Sequence, residues 1–109
     1  MKLKVQYYTL EQICNLYEVK KEELVYGTEN NDVGNRKLNQ AVYSLLDEVV
    51  DKFKQLLIKQ KGKKEANLSL KDYQAFFLKE FLLRNYMEFS NLFERTLLRN
   101  LAFKIDEQL

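Results

Sequence analysis

Residues 69–109 read SLKDYQAFFLKEFLLRNYMEFSNLFERTLLRNLAFKIDEQL. These 41 residues hold six of the chain's seven Phe and contain no Gly and no Pro. The stretch predicts one long helix or two helices in tandem. Ser69 and Asp72 stand at capping-box spacing, and Leu68 and Tyr73 sit where a hydrophobic staple closes over such a cap. The Asp72 carboxylate also falls in the first turn, where the helix dipole favours it. The helix is therefore expected to start at this point.

At about 100° per residue, the apolar residues from Leu70 to Phe89 do not keep to one stripe. Leu70, Phe77 and Phe81 share one side, Leu82, Tyr86 and Phe89 a second, and Phe76, Leu83 and Met87 a third. A helix apolar nearly all round is buried on more than one side. It is either a central core helix or a surface shared with a second chain. The residues that would form a dimer or partner interface are Tyr73, Phe76, Phe77, Phe81, Leu82, Tyr86, Phe89 and Phe93. After Ser90 the stripe narrows to Phe93, Leu97, Leu98, Leu101 and Ile105. An unbroken helix over the whole stretch would span about 60 Å, against a radius of gyration of about 13 Å for a compact domain of this size. Either the helix breaks around Asn85–Asn91, or the protein is elongated and oligomeric.

Residues 36–61 predict a second long helix. Leu38, Val42, Leu45, Val49, Phe53 and Leu56 recur every three or four positions, and Leu46, Val50 and Leu57 widen the stripe to the width a helical bundle needs. Before it, Gly27–Asn35 (GTENNDVGN) has the composition of a loop. After it, Lys59–Lys64 (KQKGKK) is the concentrated basic run of the chain. Net charge is −2 over residues 1–32, +4 over 33–65 and zero over 66–109.

The 109 residues are 46% hydrophobic and 31% charged, with a net charge of +2, and predict one folded domain over 1–109. With no His, the commonest general base and metal ligand is missing. A single cysteine, Cys14, forms no internal disulfide and builds no cysteine-based zinc site. It sits among Ile13, Leu16 and Tyr17 and reads as a buried core thiol. No glycine-rich phosphate loop is present. The expectation is a protein without enzymatic activity, cofactor, metal or membrane segment. The N-terminus has no signal-peptide pattern, and the expected location is cytoplasmic.

Residues 2–8 (KLKVQYY) alternate polar and apolar, as a short strand or an extended arm does, with a second copy or a partner as the foreseeable pairing strand. Thr9 and Gln12 repeat the capping-box spacing, with Tyr8 and Ile13 as staple. A short helix facing inward through Leu10, Ile13, Leu16 and Tyr17 should follow, with a turn at Glu18–Val19 and a second short helix after it.

Residues 8–24 (YTLEQICNLYEVKKEEL) resemble the opening of a helix-turn-helix of the excisionase or MerR-like kind. Val19 matches the Val that follows the turn in that family, and Leu24 the aliphatic that anchors the second helix. Glu18 stands where the family usually has Gly, and Glu22 and Glu23 lie beside Lys20 and Lys21. The resemblance implies DNA binding, with the second helix in the major groove. Phosphate contacts would then fall to Lys20, Lys21, Arg36, Lys37, Lys63 and Lys64, and Asn15 or Tyr26 would reach a base or sugar.

The expected fold is all-α. A helix-turn-helix-like head (1–32) precedes two long amphipathic helices (33–109) in a bundle completed by dimerisation. Two functions fit. The first is a small homodimeric DNA-binding regulatory or accessory protein. The second is an inhibitor or adaptor that docks a protein partner through the aromatic-rich helix 69–93. The Lys- and Asn-rich composition without Pro or His is similar to that of accessory proteins of AT-rich genomes, phage or plasmid borne.

Overall fold

A computed structural model describes residues 1–26, 33–59, 64–89 and 91–109; of the side chains of 23–26 and 33–40 nothing is described. The order is strand β1 (Lys2–Gln6), helix α1 (Tyr7–Tyr26), helix α2 (Val33–Lys59), strand β2 (Glu65–Ser69), helix α3 (Asp72–Asn85), a 3₁₀ turn (Tyr86–Glu88) and helix α4 (Leu92–Gln108). The chain is an all-α helical bundle with one small sheet. Its radius of gyration is 14.1 Å.

The long C-terminal stretch breaks at its polar midpoint. Asn85 turns its side-chain amide back to donate to the Phe81 carbonyl at 2.8 Å. Asn91 then caps α4, its Oδ1 accepting from the Phe93 N–H at 2.8 Å. Arg95 closes the corner by donating from Nε to the Phe89 carbonyl. The break lets α4 fold back along α3, so the all-round apolar surface of α3 finds most of its cover within one chain. Leu78 and Leu82 are buried, as are Leu98, Ala102 and Ile105 of α4. Ala75 and Ala102, both fully buried, carry the smallest apolar side chains of these two helices.

The start of α3 differs from expectation. Ser69 ends β2, and Lys71 precedes the helix, its N–H donating to Gln74 Oε1 at 3.0 Å. The reciprocal bond that stabilises the helix entry is thus made by Gln74, two residues later than Ser69 and Asp72 would place it. Asp72 does lie in the first turn. The strand at the N-terminus has a partner in its own chain: β1 pairs antiparallel with β2, Leu3 opposite Leu68 and Val5 opposite Ala66. The alternation in Glu65–Ser69 (EANLS) is only five residues long, too short to separate from the neighbouring helix pattern by period alone. In both strands the odd-numbered or even-numbered apolar set faces the core, and Lys2, Lys4, Asn67 and Ser69 face solvent.

Helix α1 is also a correction. It starts at Tyr7, directly from β1, and runs unbroken through Glu18 and Val19 to Tyr26. The turn expected at Glu18–Val19 is not formed. Leu10, Ile13, Cys14 and Tyr17 recur on one buried side, while Val19 is 53% exposed. No glycine interrupts this stretch, and nothing in it favours leaving the helical conformation. In α2 the buried set is Leu46, Val49, Val50 and Phe53, with Val42, Leu45 and Leu56 half-buried. That is the broad stripe of a bundle helix, wider than a coiled-coil seam. The residues Gly27–Asp32, Gly62 and Lys63 of the expected loops lie outside the described set.

The buried position of Cys14 has a pH consequence. Burial pushes its thiol from 9.0 to about 11, with Lys54 pulling weakly the other way. A raised folded value favours the protonated, folded state, so this contribution is complete below pH 9 and fades as pH rises towards 11. Over that window Cys14→Ala will flatten the fall in unfolding free energy by about one proton's worth of slope. Urea melts at half-unit pH steps will read the difference, and parallel curves for parent and variant would refute it.

Candidate functional site

Helices α2 and α3 diverge above the core and leave an apolar groove of about 190 Å³ lined by Val42, Tyr43, Leu46, Phe76, Phe77, Glu80, Phe81, Arg84 and Asn85. Its floor is a cluster of packed rings. Tyr17 of α1 lies 6.2 Å from the Phe81 ring, and Phe81 lies edge-on to Tyr43 at 6.3 Å. Tyr17 is itself fixed at its polar end. Its hydroxyl donates to the Tyr43 carbonyl at 3.1 Å and to the Asp47 carboxylate. Burial, and then the hydrogen bond to Asp47, hold the phenol well above its usual range. Lys21 completes the cluster, 3.2 Å from Asp47 and over the Tyr17 ring at 5.8 Å.

The lip of the groove is different. Phe76 is 44% exposed and packs edge-on against Phe77 at 5.6 Å. Lys79 sits 5.0 Å from the Phe76 ring and is tied to Asp106 of α4 at 3.1 Å. Leu83, on the same side of α3, and Met87 of the 3₁₀ turn are also exposed. Of the three apolar sides read from the sequence, this third one is the side that the chain leaves open. A second polar seam runs just below. Tyr73 donates to Glu48 at 3.2 Å, and the buried Gln74 bridges Glu48 and Lys52.

The expected interface residues therefore separate. Phe81 and Leu82 are core residues, 5% and fully buried. Phe77 lines the groove half-buried, and Tyr86 and Phe89 pack half-buried against the core. Tyr73 and Phe76 are exposed on α3. Phe93 lies elsewhere, 61% exposed and 6.4 Å from the ring of Tyr8, whose hydroxyl donates to Glu94 at 2.6 Å. That bond to the carboxylate raises the Tyr8 phenol above its usual range. Val42 and Tyr43 supply the α2 wall of the groove and were not singled out in the sequence. Val42 belongs to the α2 stripe, which does not say which of its edges stays open, and Tyr43 lies outside that stripe.

Of the expected phosphate ligands, the side chains of Lys20, Lys21 and Lys64 are described. Lys20 forms a 2.6 Å pair with Glu88 of the 3₁₀ turn, and Lys21 is the partner of Asp47. Lys64 is exposed at the start of β2. Lys63 and the side chains of Tyr26, Arg36 and Lys37 lie outside the described set. Among the described residues no group of three His, Cys, Asp or Glu is placed to hold a metal, and no helix is long and apolar enough to cross a membrane. The fold and groove define a small helical-bundle protein with one open aromatic cleft. In comparisons with known proteins, no family model, curated protein or solved structure matches the chain.

Proposed function

We propose that this chain is a non-catalytic interaction module that receives an amphipathic helix of a protein partner in the groove between α2 and α3. The observation that carries the reading is Phe76, a large aromatic side chain held half-exposed on the lip of an apolar cleft whose floor is locked by Tyr17, Tyr43 and Phe81. Helix-in-groove recognition uses apolar anchors at i, i+3, i+4 and i+7, and binding energy concentrates on buried aromatic contacts. Glu80 and Arg84 at the rim offer one charge of each sign to set the direction of the incoming helix.

This reading is favoured over DNA binding because Lys20 and Lys21, the lysines expected to meet phosphates, are engaged by Glu88 and Asp47. Non-specific DNA affinity rests on cations that neutralise phosphates. Selection of a helical-peptide library on the protein, with Phe76→Glu as counter-target, tests the proposal. Peptides with an i, i+3, i+4, i+7 apolar pattern that lose at least about tenfold in affinity on Phe76→Glu are expected. Failure to enrich such peptides, or enrichment insensitive to Phe76→Glu, overturns it.

The same preparation distinguishes the regulator reading. Binding to random duplex DNA at about 50 mM salt is expected to be absent. Steep salt-dependent binding, weakened by Lys20→Ala with Lys21→Ala and accompanied by a dimer mass, would instead support a DNA-binding homodimer.

A further inference from the structure

The two-stranded sheet has two outer edges, and they differ. Hydrogen bonding between the strands runs through the odd residues of β1 and the even residues of β2. Met1 and Leu70 exchange both backbone bonds at 2.8 Å, and Tyr7 donates to the Lys64 carbonyl at 3.0 Å. The register keeps that alternation throughout. The backbone groups of Lys2, Lys4 and Gln6 therefore point away from β2, and those of Glu65, Asn67 and Ser69 point away from β1. On the β1 edge, Lys104 of α4 reaches over to the Lys4 carbonyl at 3.5 Å. On the β2 edge, no described residue bonds to the outward N–H or C=O of Asn67 or Ser69.

That open edge faces a cleft. A space of about 200 Å³ separates Asn67–Leu70 from one side of α2, formed by Lys52, Gln55, Leu56 and Lys59. Leu56 is half-buried and packs against the core from the far wall. Lys52 and Lys59 line this space, Lys64 and Lys71 flank β2 along the chain, and all four are exposed. Glu65, the carboxylate of the strand, is already met by Lys4 at 3.9 Å.

We propose that the β2 edge takes an acidic, extended peptide segment as a third antiparallel or parallel strand, lying between β2 and α2. The backbone of Asn67 and Ser69 supplies the strand-pairing bonds. Leu56 meets an apolar residue of the added strand, and Lys52 and Lys59 meet its carboxylates. Charge selects this occupant. A second copy of the chain pairing β2 to β2 would bring four more lysines against these four, which an acidic peptide does not. The site shares no residue with the α2–α3 groove, so it stands independently of helix docking there.

Fluorescence polarisation with a labelled, acetylated heptapeptide of alternating Val and Glu tests the proposal. Binding is expected to weaken with salt, and the matching Val–Lys peptide is expected not to bind. Asn67→Pro removes an outward N–H while sparing the ladder to β1, and should weaken binding about tenfold. Lys52→Glu with Lys59→Glu should abolish it, and Phe76→Glu should leave it unchanged. Amide exchange on the parent protein gives a measurement free of any folding defect: the Asn67 and Ser69 amides should gain protection when the Val–Glu peptide is added. No binding, binding indifferent to Asn67→Pro, or unchanged exchange at these two amides would overturn the proposal. So would a peptide-free dimer that Asn67→Pro dissociates, since the edge would then belong to a second copy.

Discussion

Phe81→Glu will leave the protein unfolded in buffer in which the parent chain is folded. Phe81 is 5% exposed at the crossing of α1, α2 and α3, and its neighbours are the rings of Tyr17 and Tyr43. Lys21 of that cluster is already bound to Asp47, and Arg84 of the same groove is exposed to solvent rather than packed on the rings. Burying an unpaired charge costs well over 4 kcal/mol, against a total stability of about 5–15 kcal/mol for a domain. Far-UV circular dichroism and a thermal melt will show loss of helix and of a cooperative transition. Leu83→Glu, on the open side of the same helix, is the control. Leu83 is 36% exposed, so the charge stays hydrated and the cost should be below about 1 kcal/mol. A folded Phe81→Glu protein with parent stability would show that the α1–α2–α3 crossing is not the core.

Phe53→Ala is the second large effect. Phe53 is fully buried, at the centre of the inward side of α2 with Leu46, Val49 and Val50. Truncating it removes most of an aromatic side chain and leaves a cavity that rigid neighbouring helices cannot close. The expected cost is about 3–5 kcal/mol, which lowers the melting temperature by on the order of 15 °C for a domain of this size. Leu56→Ala, one turn further along and half-buried, should cost less than half as much. Chemical denaturation of the three proteins will order them. Equal losses at both positions would mean that α2 is not anchored through Phe53.

The sequence carried the helical class and the two long amphipathic segments, and it marked Asn85–Asn91 as the place for a break while leaving an unbroken, oligomeric helix open. Each rests on period, composition and local capping chemistry, and those act over a few residues. Cys14 as a core thiol was legible for the same reason. Three features were not. β2 was hidden because five alternating residues beside a strong helix signal do not outweigh it. The unbroken α1 was hidden because a restart in charge pattern at Glu18–Val19 imitates a turn, yet the residues that face the core, Leu10 to Tyr17, continue in helical register into a helix with no breaker. The cap moved from Ser69 to Lys71 and Gln74 because β1 claims Ser69's segment as a strand.

For the candidate groove, the sequence singled out α3, which supplies one wall, but could not sort its sides. The aromatic residues of α3 were plainly too many for one stripe, and that alone marks the helix as having more than one neighbour. Which side stays open depends on where α1, α2 and α4 pack, and that is a property of long-range contacts. Tertiary structure put Phe81 and Leu82 inside, left Phe76 on a lip, carried Phe93 away to Tyr8, and turned Lys20 and Lys21 from free cations into partners of Glu88 and Asp47. Local sequence determined that this chain is helical. Only packing, which pairs residues as distant as Lys4 and Lys104 or Leu3 and Leu68, decided which apolar and charged groups stay exposed.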